Sequence, residues 1–179
     1  VAAGMAGGSS DAAAVLYGMN RMFRLNLSQQ RLMEIGLKIG ADVPYCVMRG
    51  TALAEGIGEK LTPLAPMPIC KVLVAKPPIC VSTKFVYENL TLDKDTEHPR
   101  IDLLIEGLRE GNLKKIAAHM GNVLESVTIP HYPVIAQIRE EMLHYGAINA
   151  MMTGSGPTVF GLFEEEAQAQ KAYQSLREG

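Results

Sequence analysis

The chain has 179 residues, 47% of them apolar, with 17 Lys and Arg against 19 Asp and Glu for a net charge of −2. That apolar share suffices for a packed core in one large or two small domains, and the interspersed charges exclude a basic stripe for nucleic acid or a polybasic segment for a membrane surface. No apolar run approaches the roughly 20 residues that span a bilayer and the start is not that of a signal peptide, so no nucleic-acid or membrane partner is expected and the location reads as cytoplasmic.

The chain opens on Gly4-Met5-Ala6-Gly7-Gly8-Ser9-Ser10-Asp11-Ala12-Ala13, three glycines running into two hydroxyls and an Ala-rich helix start. Glycines let backbone N–H groups turn inward, and the following helix adds the positive end of its dipole, which is the composition of a phosphate cradle. It is not a Walker A loop, because no Gly-Lys-Ser/Thr is present, and its glycine spacing is not that of a dinucleotide fingerprint. A flexible Gly/Ser-rich end is the alternative. The first residue is Val, which reads as a chain that has lost its natural beginning.

From Ser10 the residues Ala14, Leu16, Met19, Met22 and Phe23 recur at helical spacing, and Ser28 is placed to cap a second helix over 29–39 with Gly40 as its C-terminal cap. Ala41-Asp42-Val43-Pro44 then reads as a short connection before an extended segment. Strands are expected at 51–54 and 60–62, joined through Glu55-Gly56-Ile57-Gly58-Glu59. Pro63, Pro66 and Pro68 mark a linker, so a domain boundary is placed between residues 66 and 67. Beyond it come a buried strand at 71–75, a short helix at 83–89 and a solvated loop at 91–99. Helices at 101–110, 113–125 and 133–145 follow, then strands at 147–152 and 158–163 flanking Thr153-Gly154-Ser155-Gly156-Pro157, and a last helix at 165–176. This order indicates an α+β fold with helices on one face of a small sheet. Cys46, Cys70 and Cys80 lack Cys-x-x-Cys spacing and sit among apolar residues, the pattern of buried reduced thiols. The four histidines show no ligand spacing.

Three segments together, the Gly-Ser loop at 4–13, Gly40-Ala41-Asp42-Val43-Pro44 and Thr153-Gly154-Ser155-Gly156-Pro157, resemble the GHMP kinases, small-molecule kinases that include homoserine, galactose and mevalonate kinases. With Ala54-Glu55-Gly56-Ile57-Gly58-Glu59 added, the chain is similar over its whole length to the branch that phosphorylates the 2-hydroxyl of 4-diphosphocytidyl-2-C-methyl-D-erythritol, in non-mevalonate isoprenoid precursor biosynthesis. A homoserine or phosphomevalonate type is the alternative within the family; an inactive ferredoxin-like assembly module is the alternative outside it. The resemblance implies the C-terminal part of the family fold. Residues 1–66 would be the rest of a ribosomal protein S5 domain 2-like, ATP-binding domain, and residues 67–179 a ferredoxin-like α/β sandwich. A preceding segment with a catalytic lysine and a last edge strand would be absent.

Phosphoryl transfer needs the nucleotide phosphates held, a metal bridging them, and an acceptor hydroxyl aligned and relieved of its proton. The resemblance implies ATP held at Gly4, Gly7, Gly8, Ser9 and Ser10 and at Gly154, Ser155 and Gly156, with the Ser10 hydroxyl on Mg²⁺. It implies Asp42 as the aspartate that activates the substrate alcohol, and Tyr87 as the aromatic that stacks on cytosine. Read without the resemblance, Ser10 is a plain N-cap, Asp42 a turn residue, Tyr87 core packing and 154–156 an ordinary turn. Apolar helix faces within residues 1–62 would lack partners, which invites a homodimer, swapping or disorder in that half.

Overall fold

The structure is a computed structural model and describes residues 4–93, 96 and 98–178; Ala3 of the opening motif and Lys94, Asp95 and Glu97 of the expected solvated loop lie outside them. It divides into two compact units, one over Ala6–Pro66 and one joining Val1–Met5 with Met67–Gly179.

In the first unit, α1 (Gly7–Met22), α2 (Gln29–Leu37) and α3 (Val43–Met48) precede an antiparallel hairpin of β1 (Ala52–Glu55) and β2 (Lys60–Pro63), with Ala52 opposite Pro63 and Glu55 opposite Lys60. The helices close on Ala13, Leu32, Val43 and Val47. Local chemistry sets each end. Asn20 bonds both the amide and the carbonyl of Leu27 at 3.0 Å, fixing the α1–α2 connection. The Ser28 hydroxyl accepts from the Arg31 amide at 3.2 Å as the N-cap of α2. Gln29 donates to the carbonyls of Val47 and Met48, each at 3.2 Å, satisfying two orphan acceptors at the end of α3.

Two expectations change here. Residues after Pro44 are helical, not extended: Pro44 is the second residue of α3, where the helix asks for no amide donor, so it starts a helix. And α2 ends at Leu37 with Lys38 as its cap; the Gly40 amide still bonds the Gly36 carbonyl at 3.1 Å, but Gly40 is not the cap.

The second unit is built on β3 (Lys71–Ala75), β4 (Asn149–Met152) and β5 (Val159–Phe163), antiparallel in the order β3-β5-β4. Its helices are α4 (Thr83–Asn89), α5 (Ile101–Glu110), α6 (Leu113–Ala118), α7 (Glu125–His131), α8 (Val134–His144) and α9 (Glu166–Glu178). Ile135, Ile138 and Met142 from α8 and Ala172 from α9 bury against Val159 and Phe163 of the central strand, with Val81, Val86, Leu124 and Val127 completing the core. Layered helices on an antiparallel sheet make the unit α+β. The helix expected over 113–125 is shorter: α6 ends at Ala118, the chain turns through 119–124, where Asn122 sets its side chain onto other segments (below), and α7, from Glu125 to His131, is a helix the sequence did not announce. Corrected too are the thiols: Cys46 and Cys70 are half-buried and Cys80 is exposed. Burial pushes the Cys46 and Cys70 thiols up, the nearby Asp42 charge adding to the effect at Cys46. No described helix is long and apolar enough to cross a membrane.

Candidate functional site

Ala6 sits in the left-handed region at φ 47°, and α1 begins immediately after it at Gly7. The Ser10 amide donates to the Ala6 carbonyl at 2.9 Å and so belongs to the helix ladder. Helix geometry leaves the amides of Gly7, Gly8 and Ser9 without an intrahelical acceptor. Both glycines are exposed, and a Cβ on either would meet nothing within 4 Å. This corrects three expectations. The helix starts at Gly7, not at the serines; the free donors are those of Gly7, Gly8 and Ser9, not Ser10; and Ser10 is the fourth residue of α1, not its N-cap. Asp11 accordingly lies beyond the first turn, which contains no acid to oppose an anion. What Ser10 offers is an exposed hydroxyl one turn into the helix.

Asp42 is the residue from which α3 starts, and α3 packs against both α1 and α2. Its backbone is fixed: the Val43 amide donates to the Gly40 carbonyl at 3.1 Å and the Cys46 amide to the Asp42 carbonyl at 3.1 Å. Val43 is 1% exposed and presses on Gly36, where a Cβ would come within 2.7 Å of its Cγ1. The Asp42 side chain is exposed and makes no capping hydrogen bond. A carboxylate on a rigid turn is thereby presented outward, free to accept a proton or a hydrogen bond.

In the other unit, the turn at 153–157 is closed by the Thr153 amide on the Thr158 carbonyl at 2.9 Å and the Gly156 amide on the Thr153 carbonyl at 3.0 Å. Thr153 Oγ1 donates to the Gly4 carbonyl at 2.9 Å, and a Cβ on Gly4, at φ 67°, would stand 2.4 Å from the Thr153 oxygen. Only glycine permits that approach. Asn122 Nδ2 donates to the carbonyls of Met152 at 2.9 Å and Gly154 at 2.8 Å, bracing the turn from behind. Ser155 is buried and its hydroxyl shares a 2.9 Å hydrogen bond with Thr83 Oγ1, so Gly154 is the exposed part of this turn. Thr83 opens α4, whose Val86 is buried and whose Tyr87 is 61% exposed. Tyr87 is therefore outside the core.

The structure thus gathers Gly7, Gly8, Ser9, Ser10 and Asp42 in one unit, and Gly4, Gly154, Ser155, Gly156 and Tyr87 in the other. Thr83 and Asn122 escaped the sequence reading. Asn122 left one trace, a polar residue after Gly121 inside an otherwise helical run. Among the described residues no group of three or more His, Cys, Asp or Glu could hold a metal ion.

Two family models match the chain: one described as GHMP kinases N terminal domain over residues 1–50, the other as GHMP kinases C terminal over residues 104–179. The chain belongs to the GHMP kinases. It is 61% identical over 178 residues to a 4-diphosphocytidyl-2-C-methyl-D-erythritol kinase of Lachnospira eligens, covering 99% of this chain and 62% of the relative. A protein of the same name from Lachnoclostridium phytofermentans is 56% identical over 179 residues, 100% of this chain and 62% of the relative. The crystal structure of a 4-(cytidine 5'-diphospho)-2C-methyl-D-erythritol kinase matches with a TM-score of 0.82 at 32% identity, over 98% of this chain and 63% of that one. The chain spans about 62% of the length of these curated relatives.

Proposed function

We propose that this chain is the phosphate-holding and acceptor-activating part of a kinase that transfers the γ-phosphoryl group of ATP to the 2-hydroxyl of 4-diphosphocytidyl-2-C-methyl-D-erythritol. The observation that carries the reading is the outward, uncapped carboxylate of Asp42 on a rigid turn, in the same unit as the open amides of Gly7, Gly8 and Ser9. In this reading Ala6–Pro66 belongs to the ATP-binding domain and Met67–Gly179 is the C-terminal domain. Gly7, Gly8 and Ser9 donate backbone hydrogen bonds to the phosphates. Within the second unit Gly4 packs on the turn at 153–157, and the family resemblance assigns Gly4, Gly154, Ser155 and Gly156 to the nucleotide as well. Asp42 accepts the proton of the acceptor hydroxyl as its oxygen bonds to the γ-phosphorus and the bond to the β-phosphate oxygen breaks, releasing ADP.

Mg²⁺ fits this site as a partner of the nucleotide: the exposed Ser10 hydroxyl offers one oxygen, no acid competes in the first turn of α1, and the described residues form no cage of their own. When bound, the ion neutralises charge on the β- and γ-phosphates. Ser10→Ala is expected to raise the Mg²⁺ concentration needed for half-maximal turnover several-fold, with the helix intact by circular dichroism. An unchanged metal titration overturns the Ser10 assignment. ATP as donor fits a cytoplasmic enzyme. The exposure of Met22 (71%) and Phe23 (60%) supports cover of the first unit in the working enzyme, by a preceding segment or in a homodimer.

Incubating the complete enzyme with labelled ATP and, separately, the cytidine substrate, homoserine and phosphomevalonate tests the reading. Label should pass to the cytidine substrate alone; transfer to another alcohol, or to none, overturns it. Tyr87→Ala should raise KM for the cytidine substrate by roughly 5- to 150-fold, since losing a base stack costs about 1–3 kcal/mol, while KM for ATP is unaffected and Tyr87→Phe is tolerated. Equal effects on both substrates would remove Tyr87 from cytosine recognition.

A further inference from the structure

The β1–β2 turn, Glu55-Gly56-Ile57-Gly58-Glu59, takes no part in the chemistry above, yet it is built more tightly than a solvent turn requires. The Gly58 amide donates to the Glu55 carbonyl at 3.1 Å, and the Glu59 carboxylate folds back to accept the Ile57 amide at 2.7 Å. Hydrogen bonds from its own amide and from that of Ile57 hold the Glu59 carboxyl below the usual range. Gly56, at φ 70°, makes room for it, because a Cβ there would stand 2.5 Å from Glu59 Oε1.

The locked turn lies beside the segment that carries Asp42. Gly58 has φ 111°, and a Cβ built on it would meet only the Ala41 carbonyl, its oxygen at 3.4 Å and its carbon at 3.9 Å. That carbonyl belongs to the peptide group whose nitrogen is Asp42's. On the other side of the same short segment, Val43 is buried against Gly36. The Asp42 peptide therefore lies between a core anchor one residue on and the hairpin turn, whose Gly58 faces the Ala41 carbonyl.

We infer that the 56–59 turn is a positioning element for Asp42: Gly58, backed by the Glu59 carboxylate, fixes the Ala41–Asp42 peptide and so the direction in which the Asp42 carboxylate is presented. The inference rests on the reading of Asp42 as proton acceptor. Its physical basis is that a side chain on Gly58 is strained at φ 111°, so that the turn beside this peptide must shift to accept it, and that small displacements of a reacting group cost about 10²-fold in rate.

The test is a double-substitution cycle in the complete enzyme, with Gly58→Ala made in the wild-type and Asp42→Asn backgrounds. Gly58→Ala should lower kcat about tenfold or more with KM for ATP unchanged, and should cost nothing further once Asp42 is Asn. The same fractional loss in both backgrounds, or a loss expressed in KM for ATP, means that Gly58 acts elsewhere and overturns the inference. Should Gly58→Ala fail to fold, Glu59→Ala carries the test. It removes the acceptor of the Ile57 amide and so loosens the turn without adding a side chain, and is expected to lower kcat several-fold, again only when Asp42 is present. Wild-type kcat in folded Glu59→Ala overturns the inference. Wild-type turnover in Asp42→Asn itself would instead defeat the reading of Asp42, a different outcome from either.

Discussion

Asp42→Asn in the complete enzyme is expected to lower kcat by about 10²–10⁴-fold while leaving KM for ATP near its wild-type value. The substitution keeps shape and volume and removes the ability to take a proton. It has little structural cost to confuse the result, because the Asp42 side chain is exposed and caps nothing, so α3 loses no hydrogen bond when the carboxylate becomes an amide. Gly7, Gly8 and Ser9 are untouched, so nucleotide binding should survive. A loss confined to kcat marks a group that acts in the transition state; a rise in KM for ATP with kcat retained would mark a binding residue. Turnover above about half of wild type would remove Asp42 from the chemistry and leave the rigid turn without a role.

What could be read in the sequence, and what could not, divides by the range of the interactions. The order of strands and long helices was legible, since periodicity and glycine or proline punctuation are local. The start of α1 was misplaced because Gly7 and Gly8 read as loop residues, whereas α1 takes them as its first two positions. Nothing in six residues led by Val43-Pro44 could display a helical period, so α3 was hidden until tertiary packing of Val43 and Val47 declared it. Cys80 shows the same limit in an extended segment. Its neighbour Val81 is buried and Ile79 partly so, yet apolar neighbours along the chain say little about the residue between them, and Cys80 is exposed. At the candidate site, motif and resemblance single out Gly7, Gly8, Ser10 and Asp42, which lie in one unit; their roles are those proposed above. Thr83 on Ser155 and Asn122 on Gly154 join residues far apart in sequence, with no local pattern to announce them.

Phe163→Ala should produce the largest loss of stability among single truncations in the second unit, about 3–5 kcal/mol. Phe163 lies on the central strand opposite Lys71 of β3, is 0% exposed, and belongs to the cluster in which Ile135 and Met142 of α8 and Ala172 of α9 are buried. Removing the ring loses its transfer free energy and leaves a cavity, because neighbours on a hydrogen-bonded strand and two packed helices cannot collapse inward without breaking their own contacts. Domains of this kind are stable by only about 5–15 kcal/mol, so the loss takes about a fifth of the reserve at the least and nearly all of it at the most. Val72→Ala on edge strand β3 is the matched control: Val72 is 54% exposed, and its truncation should cost well under about 1 kcal/mol. Urea unfolding measures both. The midpoint should fall steeply for Phe163→Ala with an unchanged slope and barely move for Val72→Ala. Equal midpoints would mean that the core is not centred on β5, and that the sheet holding the 153–157 turn draws its stability from elsewhere.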